Sequence, residues 1–260
     1  MKVGIGLYGN ADYMEDIKAL KGAGIDKTFI SSENLHFDEV MQAFKENGIT
    51  CETLHAPFDK INDMYKEEGG DEMLARLKDG VDKCAKYDIP VLIVHLSSGR
   101  PMPEINELGE KRFKALFDYA DEKGVIIAIE NQRYRENIEY FMGKYKNLKF
   151  CWDNGHEATF SDGVKFMPLF GDRLVALHIH DNECGVDTDN HVLPFDGNID
   201  FEEVAKILAE NGYTGTLMLE VSKGSDFEGV KIYENLTNDE FVKKAAESVR
   251  KLSDMVESYR

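Results

Sequence analysis

Several things are scarce in this chain of 260 residues, and each shortage removes a class of explanation. There are four cysteines, Cys51, Cys84, Cys151 and Cys184, and no two stand in a Cys-x-x-Cys spacing. A disulfide framework or a thiolate-rich zinc site is therefore not expected, and Cys184, in DNECGVD, lacks a partner thiol. No apolar run approaches the roughly 18 residues of a membrane span, and MKVGIGLYGN offers no apolar stretch long enough for a signal peptide. A cytoplasmic protein without a membrane partner is the expectation. Positive charge is short too: 31 Lys and Arg face 49 Asp and Glu, a formal charge of -18. Such a surface repels polyanions, so nucleic acid is not expected as a partner. No low-complexity segment and no obvious linker stands out.

What remains is a chain with 42% hydrophobic residues, enough for a sizeable core, and a length that suits one α/β barrel better than two small domains. One domain over 1–260 is expected. Short apolar runs read as strands: KVGIGLY (2–8), KTFISS (27–32), TCETLHAP (50–57), VLIVHLSS (91–98), VIIAIENQ (125–132), LKFCWDNG (148–155), LVALHIHDN (174–182) and GTLMLEVS (215–222). Several are nearly continuous in Val, Ile and Leu, as strands buried on both faces are. Segments 13–21, 37–47, 72–87, 107–123, 201–211 and 239–259 between them repeat apolar residues at helical spacing. Glycine follows the periodic stretch in KGAGI, KENGI, DEKGV and AENGY, where a left-handed residue can end a helix before the next strand. Regular alternation of strands and helices, counted as eight of each, predicts a (β/α)8 barrel rather than an open doubly wound sheet.

Polar residues end those strands. His55 closes TLHAP, His95 closes LIVH, Glu130 closes IIAIE, Asp153 and His156 lie in FCWDNGH, His178 closes VALH and Glu220 closes LMLE. Strand exits converge on one opening in a barrel, so a divalent-metal site at the mouth is expected, because imidazole and carboxylate suit zinc or manganese. Magnesium and cobalt are also compatible with such donors. A turn at Gly155 would bring Asp153 and His156 toward one ion. His180 shares a strand face with His178 and is either a ligand or a hydrogen-bonding support, while Asp181 reads as loop structure. Asp189 and His191 follow in a loop that a tight turn at Asp196-Gly197, with Asp200 capping the next helix and Glu203 in capping-box position, would hold over the opening. Arg100, Arg133, Arg135 and Lys223 are the few cations near the mouth, and Arg100, Arg133 and Lys223 are candidates for binding substrate. Tyr8, Phe58, Phe195 and Trp152 are candidate aromatic surfaces, with core packing favoured for Trp152.

The segments HAP, HLSSG, IENQ, DNGH, HIHDN, DNHVLPFDGNID and LEV, from His55 to Glu220, together resemble the xylose-isomerase-like barrel superfamily. That superfamily includes sugar isomerases and epimerases, inosose dehydratases and the endonuclease IV type of DNA-repair enzyme. Resemblance to the epimerases implies one divalent ion held by Glu130, Asp153, His178 and Glu220, with His156 beside substrate. Resemblance to the endonucleases implies three zinc ions, adding His55, His95, His156, Asp189 and His191 as ligands. The acidic or neutral turns YGNADY and SSENLHFDE weigh against a duplex, which needs basic phosphate contacts. The leading expectation is a metal-dependent sugar or sugar-phosphate isomerase or epimerase acting on a small carbohydrate, with Glu130 and Glu220 as the acid/base pair. A zinc phosphodiesterase and a non-catalytic sugar-binding barrel are the alternatives, and assembly into a homo-oligomer is compatible with either.

Overall fold

Strands and helices alternate along the chain in the computed structural model, which describes residues 1–7 and 12–260. The order is β1 (Lys2–Ile5), α1 (Tyr13–Gly22), β2 (Lys27–Ser31), α2 (Phe37–Asn47), β3 (Thr50–His55), α3 (Gly70–Lys86), β4 (Val91–Val94) and α4 (Glu107–Lys123). It continues with β5 (Ile126–Glu130), α5 (Arg135–Lys144), β6 (Lys149–Asp153), α6 (Asn154–Phe160), α7 (Met167–Phe170), β7 (Leu174–His178), α8 (Phe201–Glu210), β8 (Thr216–Leu219) and α9 (Asn238–Ser258). Strands β2 to β7 form one parallel sheet in sequence order, and β1 pairs in parallel with β8. Backbone bonds close the two gaps. Ile179 N–H donates to Met218 O at 2.9 Å and Glu220 N–H to Ile179 O at 2.9 Å, while Leu7 N–H donates to Phe29 O at 3.0 Å. The result is the expected (β/α)8 barrel. Tyr8 and most of the YGNADY turn lie outside the described residues.

Helix ends follow the glycine rule. Gly24, Gly48, Gly124 and Gly212 all have φ between 62° and 72°, where a side chain would be strained. Two expectations need correction. The β6–β7 connection holds two helices rather than one, because left-handed Asp162 (φ 49°) and Gly163 (φ 84°) end the first, and Pro168 fits the opening turn of the second. The turn near Asp196-Gly197 falls earlier: Asp196 N–H donates to Leu193 O at 3.0 Å, with Pro194 and Phe195 at the centre and Phe195 at φ 76°. Proline presets φ for the first central position, which puts the left-handed residue next.

Period-two alternation sorts the strands into layers. Val91, Ile93, Ala128, Cys151 and Ala176 pack together as a small cluster, separate from the larger core that the helices build with the other strand face. Two residues beyond Ile93, Ala128, Cys151 and Ala176 come His95, Glu130, Asp153 and His178. Small apolar side chains thus fill the barrel beneath a layer of imidazoles and carboxylates.

Candidate metal centre

The polar layer is nearly dry. Glu130, Asp153, His178 and His180 are fully buried, and His55, His95, His156 and Glu220 are buried almost as deeply. Burying so many ionisable groups is costly unless they pair or hold a cation. Glu130 sits at the centre. Its Oε2 lies 3.2 Å from His55 Nε2 and 2.9 Å from His95 Nε2, and its Oε1 lies 3.1 Å from His178 Nδ1 and 3.3 Å from His156 Nδ1. His178 Nδ1 is also 3.2 Å from Glu220 Oε2. On the far side, Asp189 approaches His156 Nε2 at 3.4 Å and His191 Nε2 at 3.3 Å, and His180 Nε2 stands 3.2 Å from Asp153 Oδ1.

Four donor groupings result, each with ligand atoms within 4.8 Å of one another: His55, His95 and Glu130; Glu130, Asp153, His178 and Glu220; His55, His178 and Glu220; and His156, His180, Asp189 and His191. Every candidate ligand named from the sequence is brought to this one mouth, and His180 joins them. Asp153 Oδ2, His180 Nε2 and Glu220 Oε2 are buried without a hydrogen-bond partner among the described residues. Asp153 and Glu220 share one of these groupings; buried acceptors without a donor are what a divalent cation would satisfy, and the mixture of imidazole and carboxylate fits zinc or manganese.

Mutual charge sets the protonation of the ion-free site. Burial opposes the charged form of His156, yet Asp153, Asp189 and Glu130 hold its pKa well above the ordinary value. Burial likewise opposes charge on His178, but Glu220 and Glu130 hold it well up. Against the same burial, Asp189 and Glu220 push His191 up to about 9. His95 goes the other way, its pKa lowered by burial despite Glu130. Glu130 and Glu220 stay well below the usual carboxylate range because the neighbouring imidazoles outweigh their desolvation.

Amides that the sequence left unassigned fix this geometry. Gln132 Nε2 lies 2.9 Å from His156 Nδ1 and 3.2 Å from His95 Nε2, bridging the two rings. Asn131 exchanges hydrogen bonds with the Asp153 backbone at 2.8 Å each, and Asn154 brackets His180 by its N–H and carbonyl. The signal was present: each amide stands one or two residues beyond a strand-end acid, in IENQ and WDN. Gly155 does not make the expected turn. It lies in the first turn of α6, and a Cβ there would meet His180 Cε1 at 2.0 Å, so its role is to leave room for that ring. Asp153 caps the helix by accepting from His156 N–H at 2.6 Å.

The Asp189 loop is held by Asp181, whose carboxylate accepts N–H bonds from Asn182, Phe195, Gly197 and Ile199 at 2.8 to 3.0 Å. Asp200 caps α8 as expected, but Glu203 faces Lys165 at 3.4 Å instead of completing a capping box. Trp152 is core, its Nε1 donating to Glu157 at 3.0 Å. Phe58 lies over His95, with ring centroids 4.7 Å apart, whereas Phe195 packs under Lys251. A cavity of about 720 Å³ opens above the polar layer, walled by Leu7, Phe29, Phe58 and Phe160 and reached by Arg133. Arg100 and Arg133 both pair with Asp187, Arg135 pairs with Glu139 on α5, and Lys223 is not in the cavity wall.

Fold and site together define a (β/α)8 barrel with a polar donor layer at the carboxyl ends of its strands. Residues 10–258 match the family described as xylose isomerase-like TIM barrel, and the chain belongs to it. The uncharacterized protein y4fM of Sinorhizobium fredii is 30% identical over 60% of this chain and 54% of its own, so the chain spans about half that relative. Among solved structures, D-psicose 3-epimerase with D-tagatose from Clostridium cellulolyticum H10 superposes with a TM-score of 0.78 at 18% identity, covering 98% of this chain and 99% of its own. IOLI protein with a binding zinc atom superposes at 0.72 with 18% identity, covering 100% and 99%. Both share the fold. Among the described residues, no helix is long and apolar enough to cross a membrane.

Proposed function

We propose that the protein is a metal-dependent isomerase or epimerase of a small sugar or sugar phosphate. The observation that carries this reading is the pair Glu130 and Glu220, both in the wall of a cavity sized for one small ligand and both held anionic beside His178. Glu130, Asp153, His178 and Glu220 would hold a divalent ion, zinc or manganese by donor type. When bound, the ion polarises a carbonyl and its neighbouring hydroxyl and so acidifies the adjacent C–H. Glu220 would take that proton as a base, and Glu130, once it has itself taken up a proton from solvent or a substrate hydroxyl, would return one to the carbon. His156, in the cavity wall, would hydrogen-bond a substrate hydroxyl. The apolar wall excludes water from the reacting carbon. The D-psicose 3-epimerase among the structural neighbours supports the reaction class, and the zinc-bound neighbour supports the metal.

The test is incubation of metal-loaded protein with ketoses, polyols and their phosphates in deuterium oxide. Metal-dependent exchange of one carbon-bound proton is expected; no exchange across a broad panel would overturn the reading. The two flanking donor groupings, His55 with His95 and Glu130, and His156 with His180, Asp189 and His191, favour a second reading, hydrolysis of a phosphoester by a polynuclear site. That reading requires about three ions per chain and release of phosphate or an alcohol; a single ion per chain sinks it.

A further inference from the structure

Three loops meet at one edge of the mouth. Arg100 follows β4, Arg133 follows β5, and Asp187 belongs to the connection after β7. The Arg133 Nε–H donates to Asp187 Oδ1 at 3.0 Å and the Arg100 Nε–H to Oδ2 at 3.3 Å. Each guanidinium therefore gives the carboxylate one donor, and the terminal amino groups of both have no other hydrogen-bond partner among the described residues. Arg133 is stiffly held. Its guanidinium carbon lies 3.6 Å from the centroid of the buried Phe160 ring, which stacks in turn on His156 at 5.1 Å. Arg133 also lines the cavity, so its free donors are within reach of a ligand above the polar layer.

Asp187 is not what anchors its loop. Thr188 N–H donates to Thr159 Oγ1 at 2.9 Å, Thr188 Oγ1 donates to Gly185 O at 2.9 Å, and Thr159 Oγ1 donates to the same carbonyl. The carboxylate at the tip is about 40% exposed and meets the arginines alone. In a chain of net charge -18, two guanidinium groups converging on one carboxylate leave a net positive charge beside the cavity.

We propose that Arg100 and Arg133 form an anion subsite for the phosphoryl group of the substrate, with Asp187 as a built-in occupant that this group displaces. The proposal rests on the small-sugar reading and narrows it to phosphorylated sugars. A phosphate dianion offers more acceptor oxygens and more charge than a carboxylate, so it uses the terminal donors that Asp187 leaves idle. Arg100 and Arg133 thereby select the substrate, and Asp187 keeps uncharged sugars and weak anions from being held there.

Binding of inorganic phosphate to the metal-loaded full chain, followed by calorimetry, separates the outcomes. Asp187→Asn is the suitable change, because Asp187 sits at φ 57° and Asn tolerates that conformation. It is expected to raise phosphate affinity about tenfold, a gain that disappears when Arg100→Gln and Arg133→Gln are added. Asp162→Asn is the control for charge alone: Asp162 is exposed, also left-handed at φ 49°, and among the described residues makes no ion pair. It should change affinity less than twofold. Acetate in place of phosphate should show a smaller gain with Asp187→Asn; an equal gain would assign the subsite to carboxylates and overturn the phosphoryl assignment. Unchanged phosphate affinity in Asp187→Asn, or a gain that survives loss of both arginines, would overturn the subsite itself. This measurement reads no turnover, so absence of deuterium exchange would remove the isomerase reading and leave the subsite standing, and the reverse holds equally.

Discussion

The two sides of the mouth are built differently. His55, His95, Glu130, Asp153, His178 and Glu220 stand at or next to the ends of β3 to β8, where the barrel's own hydrogen bonds fix the backbone. Asp189 and His191 ride on an irregular connection that one buried carboxylate, Asp181, ties together through four backbone N–H groups. The first side is held by the sheet itself; the second is held by side-chain and backbone bonds within and around one loop, with Asp181 making the largest set of them. A barrel can hence keep one half of a site constant while its loops remodel the other.

That difference can be broken from either side. Glu130→Gln keeps the shape of the side chain but removes the charge shared by four imidazoles. It should lower ion affinity by more than about 100-fold, beyond what loss of a supporting hydrogen bond costs a metal site. Metal per chain after dialysis checks this, and full retention of metal would mean that Glu130 is not a ligand. Asp181→Ala attacks the loop side. It leaves four amide donors without their acceptor and should destabilise the protein by about 3 kcal/mol. Hydrogen exchange should speed up over 183–199 while 126–153 stays protected; equal loss in both stretches would show that the two sides are not independent.

The smallest effect concerns pH. His156 and His178 are held above the ordinary histidine value and His191 is pushed up to about 9, so the ion-free fold carries protons that the unfolded chain has lost. Groups with raised folded pKa stabilise most below the unfolded value of about 6.5, and that contribution fades as pH rises toward 9. The ion-free protein should therefore lose stability over this window. Ion binding must displace the same protons, so the ion-loaded protein should gain affinity over it, releasing about one proton or more per ion. Thermal melts with and without metal, and calorimetry in buffers of different ionisation enthalpy, check both signs.

The strand side was legible in the sequence and the loop side only partly so. A ligand two residues beyond an inward Ala128 or Ala176 is dictated by period-two alternation, so Glu130 and His178 could be placed without coordinates. The left-handed helix ends at Gly24, Gly48, Gly124 and Gly212 were legible for the same local reason. Gly155 and the Pro194-Phe195 turn were not, because their conformations answer to contacts distant in sequence: the His180 ring for one, the Asp181 carboxylate for the other. His180 stayed ambiguous since alternation gives its face but not how far a neighbouring loop descends to meet it.

Asp153 carries a constraint of its own. One oxygen accepts the His156 amide in the first turn of α6 and the other faces the donor layer without a hydrogen-bond partner among the described residues. A single side chain thus serves as both the start of a helix and a wall of the site, and only aspartate performs both duties at once. Asparagine keeps the cap and forfeits the charge; glutamate keeps the charge and, one methylene longer, gives up the cap. Anyone re-engineering this mouth for a different ion must first find α6 another way to begin.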